Sequence, residues 1–406
     1  MSILPEFYLN GGISLKKKFT KFLAVVLAAA MIALSFAACS GGQSDAGNDS
    51  GSTGGTTLKI GGIGPLTGDA AAYGQAVQNG AQLAVDEINA AGGINGIQIE
   101  FKMEDDENNA ERSVNAYNTL KDWGMQILMG TVTSTPCIAV AEETHNDNMF
   151  MLTPSGTAVE CIKYDNAFRV CFSDPNQGTA SAQYIHDQNL ATNVFAIYDS
   201  SNAYSAGIYE NFATKAQELG MTVNAAAFTS DSNKDFSVQL QQAKSSGAEM
   251  IFLPIYYTEA SLILTQANNL GLDVKFFGCD GLDGILNVEN FNTDLAEGVM
   301  LLTPYAAISS DEKTQKFTSD YEAKFGITPI QFAADAYDAI YIIKAAAEKA
   351  GVTAGMETSA LCDALKAAML EIEVPGITGT MTWNADGEPN KEPKGMIIQN
   401  GQYVAM

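Results

Sequence analysis

A hydroxyl-rich turn is the first candidate for chemistry in this chain. Residues 150–157 read FMLTPSGT, an apolar run that ends abruptly in Ser155, Gly156 and Thr157. These hydroxyls could act in two ways. Ser155 could be a nucleophile that a distant base deprotonates. Alternatively, the hydroxyls and N–H groups of the turn could hold a ligand without reacting with it.

Residues that could activate Ser155 are scarce. The chain has two histidines, and both fall within predicted helices, His145 in AEETHNDN and His186 in AQYIHDQN. Neither follows a predicted strand, and the turn lacks the G-x-S-x-G elbow of serine hydrolases. We therefore predict that the protein is not an enzyme. A secreted hydrolase that uses two carboxylates from different loops stays an alternative, because a sequence does not give the distance between them.

Glycines after the first predicted strand, in GGIGPLTG, raise the question of dinucleotide binding. Their spacing is not G-x-G-x-x-G, and Pro65 stands where a helix would have to begin beneath a pyrophosphate. The sequence has no P-loop motif, and its cysteines form no C-x-x-C pair or Cys/His cluster. The sequence therefore predicts no cofactor and no metal site.

The elements that must position these turns follow a regular order. Short apolar runs such as LKIGGI, QILMG and MFMLTP are predicted strands, and they alternate with helical patterns such as YGQAVQNGAQLAVDEINAAGG. This alternation is typical of parallel βαβ units, and strands that are apolar throughout indicate helices on both faces of a sheet. Three more helices are predicted at 313–325, 333–350 and 359–370. The predicted fold class is α/β with mainly parallel sheets.

In such sheets, ligands bind beyond the carboxyl ends of the strands, beside helix N-termini. The loops at these positions share hydroxyls, glycines, aromatic rings and acids, and they contain no Lys, Arg or His: GPLTGDAAAYG, GTVTST, TPSGT, YDSSNAYSAG, PIYYTEAS and CDGLDG. A helix N-terminus binds a carboxylate without any cation. Ser134 is placed to contribute a hydroxyl and an N–H there, although plain N-capping would also explain it.

Three motifs in this order resemble the branched-chain amino-acid (leucine/isoleucine/valine) binding proteins of ABC importers. They are GPLTGDAAAYGQAVQNGAQLAVDEINAAGGING, KDFSVQLQQAKSSGAEMIF and GTMTWNADGEPNK. The resemblance runs over residues 58–406 and implies the type I periplasmic-binding-protein fold, with two Rossmann-like lobes joined by a three-strand hinge. It implies that lobe 1 comprises 58–174 plus 304–374, and that lobe 2 comprises 175–303 plus 375–406.

The resemblance also implies a site for an amino-acid zwitterion. Ser134, Ser155 and Thr157 would hold the α-carboxylate and part of the ammonium, Ser155 through its backbone carbonyl. From lobe 2, Tyr256 would reach the carboxylate and Asp280 would pair with the ammonium. The side-chain pocket would be walled by Tyr73, Val132, Thr133, Gly156, Tyr204 and Phe332. A ligand that contacts both lobes would favour a closed hinge.

Two departures from the family qualify these expectations. Better-known relatives carry a first-lobe disulfide where this chain has Asn108 and Thr133, and Asp280 is shorter than the Glu of some relatives. The same fold also serves binders of amides, urea and aromatic acids, which stay alternatives. A sensor that reports ligand to a signalling partner is not separated from a transport receptor by sequence.

The N-terminus predicts export. Lys16, Lys17, Lys18 and Lys21 precede an uncharged run over 22–38, and small residues lead to Cys39. We predict a signal peptide over 1–38, with a possible true start near residue 15, and lipidation of Cys39. An uncleaved membrane anchor is the alternative, because the run approaches the ~17–25 residues that span a bilayer. Residues 39–57 would be a flexible tether that holds the protein on the outer face of the cell membrane or in the periplasm.

Charge and cysteine usage limit the partners. A net charge of −25 disfavours nucleic acid and anionic membrane surfaces. The expected partners are an amino acid and the permease and ATPase subunits of an importer. The protein is expected to be a monomer that meets the membrane through its lipid. Cys161 and Cys171 could close a small disulfide loop, or both could be buried thiols.

Overall fold

The computed structural model describes residues 57–406. The predicted signal peptide, the lipidated Cys39 and the tether up to residue 56 lie outside the described residues. The first strand begins at Thr57, one residue earlier than the sequence indicated. Within the described part of the chain, none of the helices combines the length and the apolar character needed to cross a membrane.

The first sheet has five strands in the order β2-β1-β3-β4-β5, and every neighbouring pair is parallel. Its strands are β1 (Thr57–Gly64), β2 (Gln98–Asp105), β3 (Ile127–Gly130), β4 (Met151–Thr153) and β5 (Ala167–Arg169). The central strands are fully buried, as their unbroken apolar sequences predict for a sheet covered on both faces.

The second sheet has seven strands in the order β14-β13-β10-β9-β8-β6-β7. Its strands are β6 (Asn193–Asp199), β7 (Thr222–Phe228), β8 (Met250–Leu253), β9 (Lys275–Gly278), β10 (Met300–Thr303), β13 (Lys394–Gln399) and β14 (Gln402–Ala405). Strands β6 to β10 are parallel, whereas β13 pairs antiparallel with β10 and with β14. A short ribbon joins β11 (Val374–Pro375) to β12 (Thr380–Met381).

The described residues form ten α-helices that cover these sheets. They are α1 (Ala71–Ala90), α2 (Ala110–Trp123), α3 (Ser134–Asn146), α4 (Asp174–Asp187), α5 (Ala203–Glu218), α6 (Ser237–Ser245), α7 (Tyr257–Asn269), α8 (Glu312–Phe325), α9 (Gln331–Lys349) and α10 (Thr358–Met369). Helices α1 and α9 approach closely at Gly80, where a Cβ would lie 2.0 Å from the carbonyl oxygen of Ala333. A residue with a side chain at this position would push the two helices apart.

The chain passes between the two sheets three times. It completes β1 to β5 in the first sheet and β6 to β10 in the second, and α9 then packs on α1 beside the first sheet. Strands β13 and β14 finally return to the second sheet. The α/β class with mainly parallel sheets is therefore confirmed. The lobe boundaries given by the resemblance stay a prediction.

Of the two alternatives that the sequence left open for Cys161 and Cys171, the structure has the buried thiols and not the disulfide. Both are buried free thiols. They face different carbonyl oxygens, Cys161 that of Ser134 at 3.7 Å and Cys171 that of Gly156 at 3.6 Å. Burial raises the pKa of both thiols well above the ordinary value, which keeps them protonated.

Candidate ligand-binding site

A small cavity lies where loops following strands of the two sheets meet. Its volume of about 10 Å³ is enough for one water molecule. All the predicted ligand residues except Gly156 and Thr157 line it, together with Gly281, which the sequence analysis missed. The lining residues are Tyr73, Val132, Thr133, Ser134, Ser155, Tyr204, Tyr256, Asp280, Gly281 and Phe332.

The N-terminus of α3 forms one side of the cavity. Thr133, not Ser134, is the N-cap residue, with extended backbone angles, and its side chain makes no capping hydrogen bond. The Oγ1 atom of Thr133 has no partner among residues 57–406, although the residue is only 3% exposed. A buried hydroxyl without a partner is unusual, and the first N–H groups of a helix also lack partners within it. This side of the cavity therefore offers hydrogen-bond donors to a ligand.

The side chain of Ser134, at the start of α3, is hydrogen-bonded to the loop that carries Thr157. The hydroxyl of Ser134 accepts hydrogen bonds of 3.2 Å from the N–H groups of Thr157 and Ala158. The N–H of Thr157 is therefore occupied, and in this conformation it is not available to a ligand. Gly156 does not line the cavity, and a Cβ there would come within 2.9 Å of the sulfur of Cys137. Its lack of a side chain serves the packing of Cys137 more directly than the approach of a ligand.

The arrangement around Ser155 does not suit nucleophilic catalysis. Its hydroxyl donates a 2.7 Å hydrogen bond to the carbonyl oxygen of Val132. His145 stacks on Tyr164 with ring centroids 4.1 Å apart, and His186 contacts Asp187 on an exposed part of α4. A serine nucleophile needs a base within hydrogen-bond reach, and neither histidine lines the cavity.

Asp280 supplies the acid of the cavity. The residue is 3% exposed, and its Oδ1 accepts a 2.7 Å hydrogen bond from the hydroxyl of Tyr204. Its N–H donates to Oε1 of Gln177 at 3.1 Å. Burial raises the pKa of Asp280 to about 7, and the hydrogen bond from the hydroxyl of Tyr204 offsets only part of that effect. The two most buried ion pairs of the described residues, Arg169–Glu388 and Lys391–Asp335, do not include Asp280.

Aromatic rings form the rest of the wall. The ring of Tyr73 lies 4.2 Å from that of Phe332 and 5.4 Å from that of Tyr256, between ring centroids. The hydroxyl of Tyr73, on α1, donates to the carbonyl oxygen of Gly281, which follows β9. It also accepts from the N–H of Tyr257 at 3.3 Å. Tyr73 therefore links the element after β1 directly to the loops at the end of the second sheet.

Tyr257 is a residue that the sequence analysis missed. Its hydroxyl accepts a 3.0 Å hydrogen bond from the N–H of Ala72. The hydroxyl of Tyr73 in turn accepts from the N–H of Tyr257, so each tyrosine binds the backbone of the other's segment. The available signal was its position beside Tyr256 in PIYYTEAS, one of the loops expected at the site. Sequence gave no reason to choose between the two rings, because the partner lies 185 residues away along the chain.

A larger chamber of about 480 Å³ adjoins the small cavity and shares Tyr204 and Tyr256 with it. Its walls are mainly polar and include four acids, Asp69, Glu107, Asp199 and Glu259. Asp69 is paired with Lys234 at 3.1 Å, and Glu259 accepts from the amide of Asn233. The chamber is therefore a wide, polar space next to the small cavity.

Comparison with known proteins decides the family. The family model described as periplasmic binding protein matches residues 57–399. A Leu/Ile/Val-binding protein of Rhizobium johnstonii is 33% identical over 337 residues, which are 82% of this chain and 88% of that protein. The chain belongs to the periplasmic binding protein family. The resemblance to branched-chain amino-acid binding proteins is confirmed.

Two solved structures of this family share the fold. A leucine-binding protein from Thermotoga maritima matches with a TM-score of 0.78 and 27% identity, over 86% of this chain and 98% of its own. A branched-chain amino-acid transporter substrate-binding protein from Streptococcus pneumoniae, in complex with isoleucine, matches with a TM-score of 0.78, 29% identity and the same coverage. The type I periplasmic-binding-protein fold is therefore confirmed.

Proposed function

We propose that the protein is the extracytoplasmic solute receptor of an ABC importer and binds a neutral amino acid with a branched-chain or other hydrophobic side chain. The observation that carries the proposal is the pairing of opposite chemistries in one cavity. The unpartnered hydroxyl of Thr133 at the start of α3 and the unpaired acid Asp280 both line it. An α-amino acid presents the complementary groups, a carboxylate and an ammonium, on the same carbon atom.

The carboxylate would bind at the α3 end of the cavity. Helix α3 has 13 residues, so its N-terminus carries a partial positive charge that favours an anion. The hydroxyl and N–H groups near Thr133 and Ser134 would replace water around the carboxylate. The hydroxyl of Tyr256 would reach the same group from the opposite loop. No lysine, arginine or histidine lines the cavity, so this end depends on dipoles and hydroxyls.

The ammonium would bind Asp280. A buried carboxylate is costly unless a cation pairs with it, and the described residues place none there. A ligand ammonium would provide that charge and would lower the pKa of Asp280 again. Tyr204, which already donates to Oδ1, would leave the remaining oxygen for the ligand.

The side chain of the ligand would pack against the apolar wall. Tyr73, Val132 and Phe332 supply apolar surface there without any charge. The relatives named for leucine, isoleucine and valine, and the isoleucine complex from Streptococcus pneumoniae, support a branched aliphatic side chain. We propose no catalytic step, because the hydroxyl of Ser155 is bonded to a backbone carbonyl.

The mechanism that we propose is hinge closure between lobe 1 (58–174 plus 304–374) and lobe 2 (175–303 plus 375–406). The bonds of Tyr73 to Gly281 and Tyr257 support it, because they join residues of the two proposed lobes around the cavity. The closed, ligand-bound form would dock on the permease and ATPase subunits of the importer. The protein would act as a monomer, held at the membrane by a lipid on Cys39.

Isothermal titration calorimetry of residues 40–406, a form without the signal peptide and the lipidated Cys39, tests the proposal. Leucine, isoleucine, valine, alanine and phenylalanine should be compared with urea, acetamide and benzoate. We expect saturable binding of at least one hydrophobic amino acid, and chromatography should recover that ligand unchanged. Binding of only an amide, urea or benzoate would overturn the ligand class, and consumption of the ligand would overturn the receptor role.

A further inference from the structure

A second cavity, of about 440 Å³, has a lining that is distinct from that of the amino-acid site. It is formed where α3 and the short 3-10 helix Val159–Ile162 face α4 and α5. None of its lining residues lines the small cavity described above. They are Ile138, Ala158, Val159, Glu160, Asp174, Pro175, Ala203, Ala206, Gly207, Glu210 and Asn211.

Asp174 is the unusual member of this lining. It is 2% exposed, and neither of its carboxylate oxygens has a hydrogen-bond partner among residues 57–406. Its carboxylate lies against Gly207 of α5, where a Cβ would stand 3.2 Å from Oδ2. Gly207 also lines the cavity. Burial of a polar group without a partner costs free energy, so a structure retains one where something else offsets that cost.

Neighbouring charges do not supply the missing partner. Asp174 is the first residue of α4, so the N-terminal dipole of that helix offsets part of the cost. Arg169 is near enough to favour the charged form, but its Nη1 and Nη2 atoms donate to the carbonyl oxygens of Gly156, Thr157 and Ala158. Arg169 also forms its ion pair with Glu388 at 3.2 Å, and not with Asp174.

The rest of the cavity combines negative charge with aliphatic surface. Glu160 and Glu210 add two acids, and no lysine, arginine or histidine is present in the lining. The aliphatic part of the wall comprises Ile138, Val159, Pro175, Ala203 and Ala206. Among the described residues, no group of three or more side chains is arranged to hold a metal ion. The occupant that suits this lining has a cationic head with several N–H donors and a short apolar body.

We infer that this cavity is a second binding site, which takes the ammonium group of a small aliphatic amine with Asp174 as the acceptor. The ammonium would donate to both oxygens of Asp174, Glu160 and Glu210 would add long-range attraction, and the alkyl chain would pack on the aliphatic wall. Burial raises the pKa of Asp174 well above its ordinary value, so binding of a cation should release a proton. This inference does not rest on the proposed amino-acid site.

The test is calorimetric titration of n-butylamine hydrochloride into the same form of the protein, residues 40–406, with 1-butanol and sodium chloride as uncharged and inorganic controls. We expect saturable binding of n-butylamine only, and at least a tenfold loss of affinity in Asp174→Asn. Asp231→Asn, a change at an exposed carboxylate on another loop, should bind as the unaltered protein does. Heats measured in two buffers of different ionisation enthalpy should report the released proton.

Three outcomes would overturn the inference: no saturable binding of n-butylamine, equal binding by Asp174→Asn, or displacement of the amine by leucine. If Asp174→Asn does not fold, Ala206→Leu, which fills the cavity from α5, replaces it and should abolish amine binding. A protein that binds n-butylamine but no amino acid would retain this inference while contradicting the proposed function.

Discussion

The hydroxyl of Tyr204 donates a 2.7 Å hydrogen bond to Oδ1 of Asp280, and it accepts one of 2.8 Å from the N–H of the next residue, Gly281. Tyr204 lies in the first turn of α5, whose N-cap Asn202 accepts from its backbone N–H. One phenol therefore fixes both the carboxylate and the backbone of the loop after β9. The direction in which the acid points thus depends on a neutral residue.

Tyr204→Phe should weaken amino-acid binding without unfolding the protein. The ring would still pack on Tyr256, at a centroid distance of 5.1 Å, but the two hydrogen bonds of the hydroxyl would be lost. We expect a loss of about 1–2 kcal/mol in binding free energy, measured by calorimetry with leucine or the best ligand found. Tyr209→Phe is the matched control, because its ring stacks on Tyr198 away from the cavity. Equal affinities of the two variants would show that the hydroxyl of Tyr204 does not position Asp280.

Asp280→Ala should weaken amino-acid binding more than Tyr204→Phe does. It removes the proposed partner of the ammonium and leaves that charge buried against aromatic rings. We expect binding to weaken by ~2–4 kcal/mol. Circular dichroism should confirm that the variant is folded, and Asp231→Asn serves as the control for loss of a negative charge. If the affinity of Asp280→Ala matches that of the control, the ammonium binds elsewhere.

Ligand affinity should depend on pH through Asp280. Because burial raises its pKa to about 7, the ligand-free protein carries a proton there at pH 6, and an ammonium ligand must expel it. We expect affinity to fall roughly tenfold for each pH unit below about 7, and to level off above it. Titrations between pH 5 and pH 8 measure this slope. The slope should be absent in Asp280→Asn, and a flat profile in the unaltered protein would contradict the assignment.

The stability of the ligand-free protein should decrease as pH rises, whereas the affinity for the ligand should increase. The pKa of Asp280 rises from its ordinary value of 3.8 to about 7, so between these values the folded protein binds more protons than the unfolded chain. Its contribution to the free energy of unfolding therefore decreases as pH rises through that window. Thermal unfolding of the unaltered protein and of Asp280→Asn should diverge between pH 5 and pH 8, with the variant relatively more stable at pH 8. A constant difference would refute this contribution.

Thr133→Val and Thr153→Val make a matched pair. Thr133 has a hydroxyl without a partner, so its loss should leave stability unchanged or raise it, while ligand binding weakens by about 0.5–1.5 kcal/mol. The hydroxyl of Thr153 donates to the carbonyl oxygen of Thr131 at 2.6 Å and accepts from the N–H of Gly156 at 2.8 Å. Its loss should destabilise the fold by about 1–3 kcal/mol. Chemical denaturation measures both, and a destabilised Thr133→Val would mean that this hydroxyl has a structural role.

The fold could be predicted from the sequence because its signals are local. Apolar runs such as QILMG and the helical patterns between them each report on a few neighbouring residues, and parallel βαβ units follow from their order. The loops of the site were predictable for the same reason, since strand ends are local features. The α3 N-terminus and Asp280 accordingly came together as expected.

The details that were missed depend on contacts between distant residues. The role of Gly156 follows from its approach to Cys137, and the N–H of Thr157 is occupied because Ser134 lies beside it in space. The hydroxyl of Tyr257 meets the backbone of Ala72 across the cleft. The isolation of Asp174 is harder still to predict, because a sequence does not show that a polar group lacks a partner.

The close approach of α1 and α9 at Gly80 has a consequence for biosynthesis. Ala333, against which Gly80 fits, is translated only after residues 81–332, so α1 lacks its partner α9 for most of synthesis. A chain truncated after β10 would lack α9, so the face of α1 at Gly80 would be open to solvent. Such fragments should be bound by chaperones or degraded, and the intact polypeptide should complete its fold late, at or after release from the ribosome.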